Sequence, residues 1–433
     1  MPHSISPEGY IPRIVDEQIE RYLKAFGAVE IAGTKWCGKT WAALRHGASA
    51  SYVDENVSLA QADPSLMLLG ERPHVIDEWQ RVPGIWDTVR HEVDRARGTR
   101  GAFILTGSST PSFGRGDGAP AHSGAGRIGR VRMHPMSLAE SGESTGEVSL
   151  SALFDGTFAP CACERDTIRL VECACRGGWP EAIDLDVRSA QLVAREYLKA
   201  AFETSAPALG LEPDLARRVC ASIARNLGQA TTYKTIIADM FGAEENPESL
   251  MSTDRVRQYL DALLSMFIVE EVPGWVPPAR DRRRFATKPK RYLADPSLAC
   301  ALLGMSPKAL LDDWQTFGLV FENMAIRDLS VYARSLDLMD DAPVRYYRDD
   351  SGLEADAIVQ LADGRWAAFE VKVSEDKVPT GVESLKRLRK KVCENPRSRT
   401  HEPEFMAVIT GNGEFAHEVE PGIYAIPLRT LGK

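Results

Sequence analysis

The sequence predicts a multidomain α/β protein, and three observations support this fold class. Residues 28–33 form a short apolar run that leads into a glycine-rich turn and then a helical pattern, which is typical of a parallel sheet. Residues 190–270 space their apolar side chains as helices do, and the last third contains strand-like runs. A chain of 433 residues is too long for one ordinary core. We predict a parallel-sheet domain at 1–145, a helical region at 146–300 and an α/β domain at 301–433.

Composition excludes several classes of protein. Hydrophobic residues make up 44% of the chain and charged residues 26%, as in globular proteins. No apolar run approaches the roughly 18 to 20 residues that a membrane-spanning helix needs. The N-terminal residues lack the basic stretch followed by an apolar stretch that marks a secretory signal. We therefore expect a cytoplasmic protein without a membrane partner.

Two basic runs stand out against a formal net charge of −9. An acidic protein repels polyanions in general, so a nucleic acid would have to bind at such local patches. Each run is either a nucleic-acid contact or an ordinary solvated face, and the sequence leaves both interpretations open. The first run contains Arg280, Arg282, Arg283, Arg284, Lys288, Lys290 and Arg291, and the second lies between Lys386 and Lys391.

The eight cysteines are too few for a disulfide framework in a chain of this size. Four of them lie close together as two C-A-C pairs, at Cys161, Cys163, Cys173 and Cys175. Four thiols are numerically enough for a structural zinc site, but C-x-C is not the usual knuckle spacing. The second pair lies in a helical pattern that would point its side chains in different directions. The alternative is small, half-buried core residues.

A phosphate-binding motif occupies residues 33–40, whose sequence GTKWCGKT matches G-x-x-x-x-G-K-[ST] at every fixed position. In this motif, backbone N–H groups turn inward around phosphate oxygens, and the following helix directs its positive end at them. Lys39 would reach the β and γ phosphates of ATP, and Thr40 would offer its hydroxyl to Mg²⁺. A chance match is the alternative, but the strand before and the helix after are the expected context. The predicted nucleotide-binding residues of this loop are Gly33, Thr34, Lys35, Trp36, Cys37, Gly38, Lys39 and Thr40.

Two further strands end in polar residues that complete such a site. Residues 74–76 lead into Asp77, which would hold Mg²⁺ through water, and Glu78, which would polarise the attacking water. The next predicted strand ends near Thr106 and Ser108. In P-loop ATPases of the AAA type a polar residue at this point senses the γ-phosphate, and we assign this role to Ser108. The alternative for these hydroxyls is capping or turn formation.

A glycine-rich loop follows and ends in a basic strand. Arg127 and Arg130 flank the exit of this loop. Either guanidinium could reach a transferring phosphate, in the same chain or in a neighbouring subunit, where its charge speeds transfer by orders of magnitude. We take Arg127 as the candidate. The alternative is two surface arginines.

Five motifs occur in a fixed order along the chain: GTKWCGKT, VIDEWQRVPGIWDTVR, FILTGSS, AGRIGRVRMHPMSLAE and RGGWPEA. Together they resemble the prokaryotic AAA-type ATPases that carry a C-terminal domain of unknown function related to restriction-endonuclease folds. The resemblance covers nearly the entire chain. It implies ATP and Mg²⁺ as ligands, and it implies much less about the biological role.

The middle region resembles a winged helix-turn-helix between residues 231 and 275. Ser252 would cap its second helix, and the strand after that helix would enter a wing. In DNA readers the second helix enters the major groove. Here it offers only Arg255, Arg257 and Gln258 to bases or phosphates. We therefore favour a packing role, with DNA contact as the alternative.

The C-terminal third carries a second group of polar residues. Glu322 lies in a run with helical spacing, and Asp356 lies in the second strand of a predicted pair. Glu370 and Lys372 lie on one face of the next strand. Nucleases of the PD-(D/E)XK type hold Mg²⁺ and position water with such a set, so we predict a metal site at Asp356 and Glu370. Lys372 would stabilise charge on phosphate; the alternative is an inherited fold with idle residues.

Two functions from different classes fit these residues. The first is an Mg²⁺-dependent ATP hydrolase coupled to a nuclease-like domain that acts on DNA or RNA. The second is a switch in which ATP arranges the domains for a protein partner and the nuclease-like module only grips. Glu78 favours the first, because a pure switch does not need a hydrolytic glutamate. A homo-oligomer is compatible with both. The predicted catalytic residues are Glu78, Arg127, Glu322, Asp356, Glu370 and Lys372.

Overall fold

A computed structural model of the protein describes residues 5–109, 122–242, 250–277, 287–395, 398 and 400–433. The chain divides into two compact units. The N-terminal unit comprises Met1–Pro135 and Leu264–Ile268, and the C-terminal unit comprises Met136–Leu263 and Val269–Lys433. No helix in the described part of the chain is long and apolar enough to cross a membrane. The three predicted domain ranges stay a prediction.

The N-terminal unit alternates strands and helices, as the sequence predicts. Its elements are α1 (Val15–Ala25), β1 (Ala28–Gly33), α2 (Lys39–His46), β2 (Ser49–Tyr52), α3 (Val57–Ala62), β3 (His74–Asp77), α4 (Gly84–Arg95), β4 (Phe103–Gly107) and β5 (Ile128–Met133). Two short 3₁₀ turns lie at Pro64–Leu68 and Trp79–Arg81.

The predicted parallel sheet of this unit is confirmed. Its described strands lie in the order β2-β3-β4-β1-β5, and every neighbouring pair is parallel. Strand β1 is central and reads AVEIAG, with nearly every residue buried, as expected for a strand covered on both faces. Because all strands run the same way, the ends of β1, β3 and β4 meet at one edge of the sheet. That edge carries the P-loop, Asp77 and Ser108.

Helices cover both faces of this sheet. On one face, Ile19 of α1 and Ala42 of α2 pack against buried β1 residues such as Ile31. On the other face, Trp86 of α4 packs into a cluster that includes Phe103. The two cores fix the position of β1, and β1 in turn fixes the start of the glycine-rich turn.

The rest of the chain is mixed α and β. Its elements up to residue 312 are β6 (Val148–Ser149), α5 (Leu150–Phe154), β7 (Cys161–Ala162), α6 (Thr167–Arg176), α7 (Val187–Ala200), α8 (Ala206–Ala208), α9 (Pro213–Arg225), α10 (Tyr233–Phe241), α11 (Thr253–Ser265), β8 (Val269–Val272), β9 (Lys290–Leu293), α12 (Pro296–Leu303) and α13 (Pro307–Asp312). The remaining elements are α14 (Trp314–Ala333), β10 (Arg345–Arg348), β11 (Glu354–Gln360), β12 (Trp366–Lys372), α15 (Val378–Cys393), β13 (Phe405–Thr410), β14 (Phe415–Glu420), β15 (Ile423–Pro427) and β16 (Leu431–Gly432). A π-helical turn lies at Ala201–Ser205, and 3₁₀ turns lie at Pro180–Ala182, Glu375–Lys377 and Leu428–Thr430.

The larger sheet of the C-terminal unit positions the second group of polar residues. Its described strands lie in the order β10-β11-β12-β13-β15-β14-β7. The β12-β13 and β13-β15 pairs are parallel, whereas β10, β11, β14 and β7 are antiparallel to their neighbours. Helix α15 packs on this sheet through Leu385 and Leu388, against Ala355 and Val408. The predicted strand pair before Glu370 is confirmed as β10 and β11.

The predicted helices of the middle region are present as α7, α9 and α11. The Ser252 hydroxyl accepts a hydrogen bond from the Arg255 N–H at 3.2 Å, so the predicted cap of α11 is confirmed. Strands β8 and β9 form an antiparallel pair. Residues 243–249 and 278–286 lie outside the described residues, and the winged helix-turn-helix stays a prediction.

Candidate functional site

The P-loop of the N-terminal unit depends on two glycines. Gly38 has φ 99°, a left-handed conformation that L side chains rarely adopt, and it immediately precedes α2. Gly33 ends β1, where an added Cβ would lie 2.1 Å from the Met133 carbonyl oxygen. Both positions therefore require glycine for backbone reasons, and the loop between them turns tightly from strand to helix.

The side chains of the P-loop divide into buried and exposed ones. Lys39 is 5% exposed, and its ammonium donates to the Thr34 carbonyl at 2.7 Å. Cys37 is buried, whereas Lys35 and Trp36 are exposed. The loop thus encloses the ammonium of Lys39, as expected for a residue that would contact bound phosphates.

Arg13, which the sequence analysis missed, stabilises the P-loop through a hydrogen bond to one of its carbonyls. Arg13 is 6% exposed, and its guanidinium donates to the carbonyls of Cys37 and His134 at 2.8 Å each. These hydrogen bonds join the segment before α1 to both the P-loop and the chain after β5. No sequence motif marks Arg13, because the two carbonyls come together only in the folded unit.

Asp77 links the strand β3 to the P-loop helix. Its Oδ1 accepts hydrogen bonds from the hydroxyls of Thr40 at 2.8 Å and Thr106 at 2.5 Å. Burial raises the pKa of Asp77 above its ordinary value, and these two hydrogen bonds act in the opposite direction. Thr40 and Asp77, the two residues predicted on the Mg²⁺ side, are therefore in direct contact.

Glu78 adopts a left-handed conformation, with φ 56° and ψ 40°. Its N–H donates to Thr106 Oγ1 at 3.1 Å, and its carboxylate accepts from Ser108 at 3.1 Å and from Gln80 at 2.5 Å. A left-handed conformation at a residue other than glycine is costly and persists only where surrounding contacts hold it. The contacts of Glu78 place the predicted water-polarising carboxylate beside the predicted sensor.

These residues fit Mg²⁺ and a nucleoside triphosphate by the chemistry of the donor set. A hydroxyl and a carboxylate are oxygen ligands of the kind that Mg²⁺ prefers. The enclosed ammonium of Lys39 and the N-terminus of α2 supply positive charge for phosphate. Thr40 and Asp77 would hold the ion, and Lys39 would contact the phosphates.

The placement of Arg127 contradicts its predicted role in the same chain. Its carbonyl accepts from the N–H of Ala28, the first residue of β1, whereas the P-loop follows the last. Strand β1 has six residues, and its five residue-to-residue steps of about 3.3 Å separate its two ends by about 16 Å. The guanidinium instead pairs with Asp94 of α4 at 2.9 Å. A role on a neighbouring subunit stays a prediction.

Arg130, the other arginine after the glycine-rich loop, also has a local partner. It pairs with Glu30 at 2.9 Å, and its guanidinium lies 5.0 Å from the ring centroid of Trp86. Glu30 is 1% exposed, and burial raises its pKa above the ordinary value despite the nearby Arg130. Arg130 therefore neutralises a carboxylate inside the sheet.

The four predicted residues of the C-terminal unit come together. Helix α14 carries Glu322, strand β11 carries Asp356, and strand β12 carries Glu370 and Lys372. All four line one cavity of about 350 Å³. Ser384 and Arg387 of α15 line the same cavity, and the sequence analysis did not assign either to it.

Protein donors already bind the oxygens of Asp356 and Glu370. Asp356 Oδ2 accepts from the Val371 N–H at 2.8 Å and lies 3.7 Å from the Lys372 ammonium. Glu370 accepts from Lys372 at 2.5 Å and from Ser384 at 3.0 Å. Burial, followed by the charge of Asp356, raises the pKa of Glu370 to about 7.

A second lysine enters the cavity from β9. The ammonium of Lys290 lies 2.5 Å from Glu354, 3.5 Å from Glu322 and 3.6 Å from Asp356. Lys290 is 2% exposed. The nearby Tyr292 hydroxyl donates to Glu322 at 2.7 Å. The cavity is thus built from both sides of the predicted boundary at residue 300.

The burial of Lys290 and Arg291 corrects the interpretation of the first basic run. Lys290 is 2% and Arg291 6% exposed, so neither belongs to a solvated face or to a surface that contacts phosphates. Arg291 pairs with Glu271 at 2.9 Å. Lys288 is exposed, and the four arginines from 280 to 284 lie outside the described residues.

The carboxylate cavity does not fit a resident divalent ion as it stands. Its oxygens suit Mg²⁺ by chemistry. Within the described ranges, however, no group of three or more His, Cys, Asp and Glu side chains is arranged to hold a metal ion. The prediction of a metal at Asp356 and Glu370 gains no support here, because Lys372 contacts both carboxylates and Lys290 lies near Asp356.

The C-A-C pairs likewise form no group that could hold a metal ion within the described ranges. Cys173 is buried, and burial raises the pKa of its thiol to about 12. The Sγ of Cys175 lies 3.9 Å from that of Cys300, inside the helical core. These two cysteines are core residues, which was the alternative interpretation.

Three family models match separate parts of the chain. Residues 26–142 match an AAA domain. Residues 167–309 match a domain of unknown function, DUF8612, and residues 317–431 match a domain of unknown function, DUF4143. The chain therefore contains a P-loop domain of the AAA type. No sequence among the curated proteins matches it.

Two solved structures are similar to this chain over much of its length. The Walker-type ATPase PABY2304 of Pyrococcus abyssi is 13% identical, with a TM-score of 0.41 over 69% of this chain and 98% of that chain. The ORC1 protein of Aeropyrum pernix in complex with DNA is 16% identical, with a TM-score of 0.28 over 69% of this chain and 95% of that chain.

Proposed function

We propose that this protein is an Mg²⁺-dependent ATP hydrolase whose nucleotide state controls a nuclease-like C-terminal module. The observation that carries the proposal is the hydrogen bond from Thr40 to Asp77, with Glu78 held beside Ser108 at the same edge of the sheet. The match of residues 26–142 to an AAA domain supports it.

Each of these residues has a distinct task in hydrolysis. The Lys39 ammonium contacts the β and γ phosphates, where it stabilises the charge of the transition state. Thr40 and Asp77 would hold Mg²⁺, and a bound ion would supply positive charge for the phosphate oxygens. Glu78 polarises the attacking water, and Ser108 contacts the γ-phosphate.

The C-terminal module is proposed to act on DNA or RNA. Arg387 of α15 is exposed and lines the carboxylate cavity. It also lines an adjoining groove together with Lys390 and Lys391. A cationic helix face at the mouth of the cavity would attract the phosphates of a nucleic acid, and Lys372 would meet the phosphate that enters.

A second function has an observation in its favour. The ammonium groups of Lys290 and Lys372 neutralise the carboxylates that a nuclease would use for its metal ion. This arrangement favours a module that binds without cutting, in a switch where ATP occupancy sets the affinity for a protein partner.

One parallel assay separates the two functions. ATP turnover and the cleavage of single- and double-stranded DNA and RNA are measured in the wild type, Lys39→Ala and Asp356→Ala. The first function requires cleavage that is lost in Asp356→Ala and ATP turnover that is lost only in Lys39→Ala. ATP turnover without cleavage in the wild type supports the switch. Absence of ATP turnover in the wild type would refute both the hydrolase and its coupling.

A further inference from the structure

Lys290 places its ammonium among the carboxylates of the C-terminal cavity. Three carboxylates lie 2.5 to 3.6 Å from its ammonium: Glu322 of α14, and Glu354 and Asp356 of β11. An ammonium with so little exposure to water is costly unless anionic groups surround it. The side chain is thus held in place by the same carboxylates that it neutralises.

The two lysines divide the acidic groups between them. Lys372 contacts Glu370 and lies 3.7 Å from Asp356, on the side of β12. Lys290 contacts Glu354 and lies near Glu322, on the side of β9. Asp356 lies between the two ammonium groups. Without Lys290, the group formed by Glu322, Glu354 and Asp356 would have no buried cation among the described contacts on the β9 side.

We propose that Lys290 is the resident counterion of this carboxylate cluster and competes with divalent metal ions for it. A divalent ion would bind at about 2.0 to 2.6 Å from carboxylate oxygens, which is the space that the ammonium now faces. Two positive charges at one position repel each other strongly in a buried cavity. The wild-type cavity therefore binds divalent ions weakly, and removal of the ammonium creates a stronger site. This inference rests on the proposed nuclease-like module and not on the ATPase.

The test is a titration of the full-length protein with Mn²⁺ in the absence of nucleotide. Calorimetry measures the affinity, and the shift in melting temperature measures the stabilisation by the ion. Lys290→Met is compared with the wild type and with Lys377→Met, which removes an exposed lysine of the same unit. We expect Lys290→Met to bind Mn²⁺ at least about tenfold more tightly than the wild type, with a larger melting shift, because an opposing charge is gone. Lys377→Met should match the wild type. Addition of Asp356→Ala to Lys290→Met should abolish the gain.

Equal Mn²⁺ affinity in the wild type and Lys290→Met would overturn the inference. Should Lys290→Met fail to fold, the double variant Lys290→Met, Glu354→Gln removes one charge of each sign, and its Mn²⁺ affinity is compared with that of Glu354→Gln alone, which has the same carboxylates but keeps Lys290. ATP turnover is measured in every variant. Turnover that persists while the Mn²⁺ gain is absent refutes the role of Lys290 alone, whereas absent turnover in the wild type refutes the proposed hydrolase.

Discussion

Thr40, at the start of α2, donates a hydrogen bond of 2.8 Å to Asp77, the last residue of β3. This bond joins two motifs that lie 37 positions apart in the sequence. It places the hydroxyl and the carboxylate that would hold Mg²⁺ in direct contact.

Lys39→Ala should abolish ATP turnover. No other side chain of the loop is both cationic and enclosed, since Lys35 is exposed and Lys39 is 5% exposed. Loss of the ammonium removes the charge that stabilises the γ-phosphate in the transition state. Turnover and binding of a fluorescent ATP analogue are measured, with Lys24→Ala in α1 as the control. Wild-type turnover in Lys39→Ala would remove the P-loop assignment.

Glu78→Gln should retain nucleotide binding and lose hydrolysis by about a hundredfold or more, because only the water-polarising carboxylate is lost. Glutamine keeps an oxygen that can accept from Ser108, so the local structure should persist. Single-turnover hydrolysis and nucleotide affinity are measured beside the exposed control Glu71→Gln. If affinity collapses while hydrolysis survives, the roles given to Asp77 and Glu78 are reversed.

The parts of the nucleotide site that the sequence predicted are those contained in short motifs. The loop from Gly33 to Thr40, Asp77, Glu78 and Ser108 each follow a strand that the apolar pattern reveals, and parallel strands bring their ends to one edge. The same-chain role of Arg127 was assigned from its place after the glycine-rich loop, although Arg127 precedes its strand, which runs parallel to β1, whereas the P-loop follows β1. Its position just before β5 therefore puts it at the opposite edge.

In the C-terminal cavity, the sequence predicted the carboxylates but not the buried cation that they face. Glu322, Asp356, Glu370 and Lys372 could be grouped because a known arrangement of residue types links them. Lys290 could not, because its charge among neighbouring basic residues suggested a surface run. Its burial depends on the pairing of β8 with β9 and on carboxylates from distant elements. Charge in a sequence window does not reveal which cations face acids inside the fold.

The exposed face of α15 should bind nucleic acid in a salt-dependent way. Arg387 and Lys390 are exposed, and both line the groove beside the carboxylate cavity. Arg387→Glu with Lys390→Glu should weaken binding of an oligonucleotide and lower the salt slope by about two units, because each of the two cations would otherwise neutralise one phosphate. Fluorescence anisotropy at several salt concentrations measures both effects, with Arg188→Glu as the control. A slope equal to that of the wild type would make this face an ordinary solvated one.

Acid should destabilise the C-terminal unit, because protonation of Glu143 removes its ion pairs with Arg169 and Arg176. Burial raises the pKa of Glu143, but hydrogen bonds from Arg169 and Arg176 outweigh this effect and hold the pKa below the ordinary 4.5. The ion pair therefore contributes stability above pH 4.5 and loses it as the pH falls through the lowered pKa.

Glu143→Gln should lower the free energy of unfolding by about 3 kcal/mol at neutral pH, because Arg176 is left buried without its charged partner. The difference from the wild type should shrink in acid. Urea unfolding at neutral and acidic pH measures it, with exposed Glu181→Gln as the control. A difference of the same size at both pH values would show that the charge of Glu143 does not act as described.

Asp356→Asn should separate the two activities of the proposed enzyme. Asparagine retains a side-chain oxygen that can accept from the Val371 N–H, now 2.8 Å from Asp356, so the sheet should remain intact. The variant loses the negative charge that Lys290 and Lys372 face from both sides. Any nucleic-acid cleavage should fall by about a hundredfold or more, because the cavity loses a carboxylate that would activate or position the attacking water. ATP turnover should be unchanged, since Lys39, Thr40, Asp77 and Glu78 all lie in the N-terminal unit.

Both rates are measured on one preparation, with Asp363→Asn, at an exposed turn, as the control. Cleavage at the wild-type rate in Asp356→Asn would place the nuclease activity outside this cavity, and loss of ATP turnover in that variant would show that the two units do not act separately.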